Sequence, residues 1–186
     1  MLTVDFHPFP VLVTERLILR QTNPRDVNEV FFLRSDDRVL KYIGRTKATS
    51  IEDAIKWLDI VNDALIKNEG ICWAITLKDD PAMIGSIGFW RMEKEHYRSE
   101  VGYVLHPEHH GKGIMSEALK SILHYGFYTM NLHSVEANID PENTPSKNLL
   151  ESNGFIREAY FKENYFFDGK FYDSAIYSLL TPVKGN

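Results

Sequence analysis

Residues Leu105–Leu119 read LHPEHHGKGIMSEAL. An apolar run, Ser99–Leu105, ends at a Pro two positions on, two glycines flank a lysine, and an amphipathic segment starts at once. A strand, a Gly-rich turn and a helix start make a physical recipe for an anion. The first N–H groups of a helix lack internal partners, and the dipole adds partial positive charge there. Gly111 and Gly113 keep Cβ atoms away from an approaching oxyanion, Lys112 adds a full charge, and Ser116 adds a hydroxyl donor. All of this fits a pyrophosphate, and a tight turn that holds nothing fits equally well. A Walker-type ATP loop is excluded, because Gly113 and not Ser or Thr follows Lys112, and G-x-G-x-x-G does not match either. His106, His109 and His110 crowd the turn, but no HExxH pattern or carboxylate partner accompanies them, so no metal is expected.

Outward from this turn the chain alternates strand-like and helix-like patterns. Val11–Arg20 reads as a first strand with Leu17 and Leu19 on one face. Asn23 with Pro24 and Asp26 signals a helix start, and Ser50 with Asp53 reads as a capping pair for a helix carrying Ala54, Leu58, Val61 and Leu65. Ile71–Leu77 and Met83–Trp90 form a hairpin about KDDPA. Gly102, inside the Ser99–Leu105 strand, signals a bulge or a close approach. Met115, Ala118, Leu119, Ile122, Leu123 and Phe127 form a helical stripe. Ser134–Ile139 is a short strand. Asn143 or Thr144 caps a helix that ends at Gly154, with Phe155 folding back. Arg157–Leu180 is a hairpin about Asp168-Gly169. The expected fold is α/β (α+β): one domain over residues 1–186, with a mixed, mostly antiparallel twisted sheet of about six or seven strands and about four helices.

The bulk numbers agree. The chain has 186 residues and is 44% hydrophobic, enough for a substantial core. A net charge of −5 argues against general nucleic-acid binding. Cys72 is the single cysteine, so no internal disulfide forms. The start of the chain lacks a signal-peptide pattern, and no apolar run reaches the roughly 18 residues that span a membrane, so a cytoplasmic protein is expected.

The run Tyr103-Val104-Leu105 to His110-Gly111-Lys112-Gly113-Ile114-Met115-Ser116 resembles motif A of the GNAT N-acetyltransferases. His110 stands at that motif's Gln/Arg position and Met115 at its Gly/Ala position. TERLILRQTNPRD (14–26), NTPSKNLLESNGF (143–155) and DGKFYDSAIYSLL (168–180) resemble the RimJ/RimL-type branch, which includes ribosomal-protein N-terminal acetyltransferases. The resemblance covers nearly the whole chain. It implies an acetyl-CoA donor with CoA as product. The amides of His110, Gly111, Lys112, Gly113, Ile114, Met115 and Ser116 would cradle the pyrophosphate, Val104 and Leu105 would pair with the pantetheine arm, and Asn143 would touch the cofactor. It also implies an amine acceptor, foremost the α-amine of a protein N-terminus, and a monomer or homodimer.

Amine acetylation needs a base, an oxyanion donor and a proton for the leaving thiolate. Glu100, on the strand entering the loop, is the expected base. Leu150 stands where many members carry a proton-donating Tyr, and Ser146, one turn earlier, matches the branch's Ser and is the expected acid. The N–H of Leu105 is the expected oxyanion donor. Trp73, Trp90, Tyr165, Phe166 and Phe167 are aromatic candidates for the acceptor pocket and equally for the core. Two alternatives remain open: a small-amine acceptor (an aminoglycoside or polyamine), and an acyl-CoA-binding module without catalysis.

Overall fold

The computed structural model describes residues 1–183. Its elements are β1 (Leu12–Val13), β2 (Leu17–Gln21), α1 (Val27–Ser35), α2 (Asp37–Leu40), α3 (Ile51–Ile66), β3 (Ile71–Leu77), β4 (Gly85–Glu93), β5 (Arg98–Leu105), α4 (Ile114–Tyr128), β6 (Ser134–Ile139), α5 (Thr144–Ser152), β7 (Ile156–Phe167) and β8 (Lys170–Leu180). The strands form one sheet in the order β1-β2-β3-β4-β5-β6-β8-β7. Every neighbouring pair is antiparallel except β5–β6, which is parallel. No helix among the described residues is long and apolar enough to cross a membrane.

Among the described residues the sheet has eight strands and there are five α-helices, one more of each than the six or seven and about four expected, and compatible with that reading. The apolar run Val11–Arg20 splits into β1 and β2 because Thr14 makes a tight turn. Its hydroxyl accepts from Leu17 N–H at 3.0 Å, and its own N–H donates to Leu17 O at 3.0 Å. The extra helix, α2, is four residues long and is capped by Asp36, whose carboxylate accepts from Arg38 N–H at 2.8 Å. Local side chains made both features, and neither carries the Gly or Pro that marks a turn.

Other local expectations hold. Asn23 and Asp26 form a reciprocal capping box, Asn143 accepts from Ser146 N–H at 3.1 Å, and Asp168 and Gly169 both adopt positive φ at the β7–β8 turn. Two differ. The Asp53 carboxylate accepts from Thr49, not Ser50, at the start of α3. The register break in β4–β5 falls between Trp90 and Glu93, and Gly102 pairs squarely with Gly88. A Cβ at Gly102 would lie 3.2 Å from the Trp90 indole, so the close approach is by a ring.

The two faces of the sheet are covered differently. Helix α4 packs Ala118, Leu119 and Ile122 into a large cluster with Leu17, Leu19, Trp73, Ile75, Ile87 and Phe89, and Leu150 of α5 joins it. On the other face α1 and α3 bring Val30, Leu33 and Ala54 onto Ala74 and Met83, with Val104 at the margin. This second cluster is small and leaves room beside it. Packing against backbone is tightest at Gly88, where a Cβ would meet Ile71 O at 2.3 Å and Cys72 Cα at 2.9 Å. Both obstacles are backbone of β3. Gly88→Ala is therefore expected to destabilise the fold by about 1–3 kcal/mol, read as a lower midpoint in urea unfolding with an unchanged slope.

Candidate active site

The decisive feature is where β5 and β6 stop pairing. They match only at Arg98/Ser134, Ser99/Val135 and Glu100/Glu136, after which β5 follows β4 while β6 follows β8 to Ile139. A wedge opens in the middle of the sheet with Glu100 at its vertex. His106 N–H donates to Ile84 O at 2.8 Å, which makes Gly85/Leu105 a non-hydrogen-bonded pair. Alternation then turns the backbone groups of Leu105 and Tyr103 into the wedge, and those of Val104 onto Ser86 of β4. Of the two residues expected to pair with the pantetheine arm, Leu105 turns its backbone into the wedge, whereas the backbone of Val104 is committed to β4 and its side chain sits beside the α1/α3 cluster. Tyr103 is the residue that shares the wedge side with Leu105.

The loop after β5 delivers the donors. Gly111 and Gly113 both have positive φ, 72° and 74°. Among the described residues, the amides of Gly111, Lys112, Gly113, Ile114, Met115 and Ser116 have no backbone acceptor outside α4, and an α-helix leaves its first N–H groups unpaired. Six amides at the start of a 15-residue helix form an anion cradle. His110 differs from expectation. His110 N–H is spent on Pro107 O at 3.1 Å, so its amide is outside the cradle, while its ring lies 3.0 Å from Leu105 O. Met115 is buried in the core, so it offers only its amide. Ser116 pairs its hydroxyl with the Asn153 side chain at 3.1 Å. His106 stacks on Phe32 at 4.3 Å, and His109 lies edge-on to it.

Arg16 and Glu117 brace the loop, a pairing with no local signal because 101 residues separate them. The Glu117 carboxylate accepts from Thr14 Oγ1 at 2.5 Å, Arg16 N–H at 2.8 Å and Arg16 Nε at 2.7 Å. Arg16 Nη1 also donates to Lys112 O at 2.9 Å. Burial pushes the Glu117 carboxyl up, but these bonds outweigh it and hold the group below its usual range.

Glu100 lies at the vertex with its side chain about four-fifths covered. Burial raises its pKa above the usual carboxylate value, Glu136 adds to the rise, and Arg91 Nη1 at 2.9 Å opposes it. Across the wedge, Tyr103 Oη and Ser146 Oγ are 2.6 Å apart. Burial drives the Tyr103 phenol up to about 12, so it stays protonated and can donate to Ser146. Asn143 lines the same wedge beside Ser146.

Two cavities meet here. One, of about 650 Å³, occupies the wedge between β5 and β6 and reaches Asn143, Ser146, Tyr165 and Phe167. The other, of about 450 Å³, lies between the sheet and α1/α3 and is lined by Trp57, Trp90 and Arg34 among others. Arg45, Arg91, Glu100, Gly102 and Tyr103 line both. Of the aromatic candidates, Trp73 is core, Phe166 is exposed against Phe171, and Trp90, Tyr165 and Phe167 line cavities.

Comparison with known proteins agrees with this geometry. Residues 16–156 match the family model described as an acetyltransferase (GNAT) domain. The chain is 35% identical over 174 residues, 94% of its length and 98% of the relative's, to YoaA of Bacillus subtilis, an uncharacterized N-acetyltransferase. This chain belongs to the GNAT acetyltransferase family and is an acyltransferase. In fold it resembles RimL, a ribosomal L7/L12 α-N-protein acetyltransferase solved with coenzyme A (TM-score 0.84, 18% identity, 92% of this chain and 98% of that one). It also resembles the spermidine N-acetyltransferase of Vibrio cholerae solved with CoA and spermine (TM-score 0.78, 23% identity, 89% and 95% covered).

Arg91 is the cation that holds Glu100 down, so Arg91→Gln is expected to raise the Glu100 pKa further. A ¹³C-carboxyl NMR titration of wild type and variant reads the shift directly. A downward shift or none assigns the control of Glu100 to another group.

Proposed function

We propose that the chain transfers an acetyl group from acetyl-CoA to a primary amine, with the α-amine of a protein N-terminus as acceptor. The carrying observation is one constellation: a run of unpaired loop amides beside a sheet wedge that holds a half-buried carboxylate at its vertex. The cradle fits a pyrophosphate, and the wedge fits an arm that pairs with the backbone of Tyr103. On this reading the amides of Gly111 to Ser116 hold the diphosphate, and Asn143 and Ser146 flank the thioester end. Bound acetyl-CoA supplies the carbonyl that is attacked and a thiolate that leaves.

The chain's own groups supply the rest. Glu100 accepts the proton of the incoming ammonium, directly or through a water. A raised pKa makes it a stronger base than an ordinary carboxylate. An α-amine with a pKa near ~8 is partly neutral already at pH 7, whereas a lysine near ~10.4 is not, so one modest base suffices for an N-terminus. Leu105 N–H faces the wedge and is free to stabilise developing negative charge on oxygen. The Ser146 hydroxyl, backed by the Tyr103 phenol, donates to the leaving sulfur. Tyr103 thus supplies the phenol that Leu150 cannot, from a strand and not from α5.

Incubation with acetyl-CoA and a panel of ribosomal-protein N-terminal peptides beside spermidine and an aminoglycoside tests the reading, with thiol release as readout. Turnover confined to the small amines would sink the protein acceptor, and absence of turnover would leave only a binding module. Glu100→Gln is expected to lower kcat by ~10²-fold or more with the KM for acetyl-CoA nearly unchanged. The same change is expected to keep or raise Tm at pH 7. The folded-state pKa of Glu100 is raised, so the cost to stability builds as the pH passes the unfolded-state value and is complete above the raised one, and Gln removes that cost. Because Glu100 must be ionised to act, kcat/KM rises with pH through its raised pKa, and in Arg91→Gln this acidic limb moves to higher pH.

A further inference from the structure

The cavity beneath α1 and α3 has a charge that the rest of the chain does not. The whole chain carries −5. Among the described residues, the lining of this cavity holds three guanidiniums, Arg34, Arg45 and Arg91, against one carboxylate, Glu100. Arg91 is satisfied by Glu100 and sits at the rim, its side chain 76% exposed. Arg34 and Arg45 are half-buried, and neither forms an ion pair among the described residues. The Nε of Arg34 is fully buried without an acceptor. Its guanidinium lies 5.5 Å over the Trp57 ring, which fixes its plane without neutralising it. The nearby acid Asp53 is occupied by Thr49 and Lys56.

The charge of Arg45 also reaches Arg34. Burial, then the charge of Arg45, lowers the Arg34 pKa to about 10, and burial lowers Arg45. Burying two like charges side by side without a counter-ion is costly. The chain holds them in place nonetheless. Arg34 O accepts from Ala48 N–H at 2.8 Å, tying the end of α1 to the loop that carries Arg45. Tyr165 of β7 donates its hydroxyl to Gly44 O from the far side of that loop. A planar guanidinium pair presents forked donors matched to a carboxylate.

We propose that the acceptor is an amine bearing a carboxylate close to it, with the carboxylate held by Arg34 and Arg45 and the amine directed at Glu100. This rests on the acetyl-transfer reading and narrows it. The chemistry is shared by a peptide whose first residues are acidic and by a free acidic amino acid. A cavity of about 450 Å³ is within the range of small-ligand pockets, about 300–1,000 Å³, and admits either. Linear polyamines meet the same two cations as repulsion, which disfavours them here.

Matched acceptors separate these cases: the C-terminally amidated peptides Ser-Asp-Glu-Ala and Ser-Asn-Gln-Ala, L-glutamate and L-glutaminamide (both carboxyls as amides), and spermidine. The acidic member of one pair is expected to exceed its neutral partner in kcat/KM by about tenfold or more, as a charge-assisted contact allows, with spermidine lowest. The pair that discriminates tells peptide from free amino acid. In Arg45→Gln the ratio is expected to fall toward one, in Arg45→Lys to persist in part, and in Arg45→Glu to reverse. Melting temperature and CoA binding report that each variant is folded. Equal turnover of acidic and neutral acceptors, or spermidine as best substrate, overturns the inference and leaves acetyl transfer standing. Absence of turnover on every amine defeats the parent reading, and the anion site is then decided by binding alone. N-acetyl-L-glutamate, the acetylated product of L-glutamate, is expected to raise Tm in wild type and not in Arg45→Gln. No rise in wild type overturns it.

Discussion

Three residue pairs of parallel β5–β6 ladder, ending at Glu100/Glu136, set the rest of the site. A sheet that stops pairing in its middle leaves backbone N–H and C=O groups without partners, and buried groups of that kind are rarely left unsatisfied. The fold tolerates the opening because each arm of the wedge has a full partner on its other side: β4 for β5, and β8 for β6. The backbone groups of Tyr103 and the N–H of Leu105 therefore face a space wide enough for an extended ligand chain, which can complete the ladder that β6 abandons. The register break in β4 between Trp90 and Glu93, with Arg91 at φ 47°, falls opposite the vertex. It is this break that brings Arg91 within reach of the carboxylate.

What the sequence shows of this arrangement is what local chemistry dictates. The Asn23 box, the Asn143 cap, the Asp168-Gly169 turn and the Gly111/Gly113 loop are written in two to four consecutive residues each. The helical stripe that buries Ala118, Leu119 and Ile122 is equally plain. Glu100 and Ser146 were legible through the likeness of their motifs, and the wedge does bring both to its walls. The tertiary features were not legible. Tyr103 finds Ser146 across 43 positions, Arg16 finds Glu117 across 101, and Arg34 and Arg45 share a cavity with Glu100 only because α1 and the loop after α2 lie over the sheet. Val104 was misplaced for a simpler reason. Strand alternation tells which residues share a face, but which backbone groups point to which neighbour depends on register, and His106 on Ile84 sets it.

The histidines of the loop show how position overrides residue type. His110 resembles a cradle residue by sequence, yet the tight turn through Pro107 takes its amide and leaves its ring against Leu105 O. The cradle starts one residue later, at Gly111, where positive φ turns the chain so that successive N–H groups point outward together. Two glycines thus do what the motif's first residue was expected to share. The Thr14, Arg16 and Glu117 bonds then fix the loop from behind, so the donors are aimed before a ligand arrives and the ordering cost is met on folding.

Charge is partitioned around the vertex to match the two ends of an acetyl transfer. On the α4/α5 side the groups are neutral donors: loop amides, the Ser146 hydroxyl, and a Tyr103 phenol that burial keeps protonated to about pH 12. Neutral donors suit a leaving group that becomes negative, because they stabilise it without binding it as tightly as a fixed cation would. On the α1/α3 side the groups are charged, with Glu100 beside Arg34, Arg45 and Arg91. A carboxylate that must lose and regain a proton needs a pKa poised by opposing influences, and here burial raises it while Arg91 lowers it. Arg91 tunes the base, and on the proposed reading Arg34 and Arg45 set the sign of what can sit next to it. Basicity and acceptor choice are therefore divided within one cluster: a change at Arg91 bears first on the base, and on the proposed reading a change at Arg45 bears first on the acceptor.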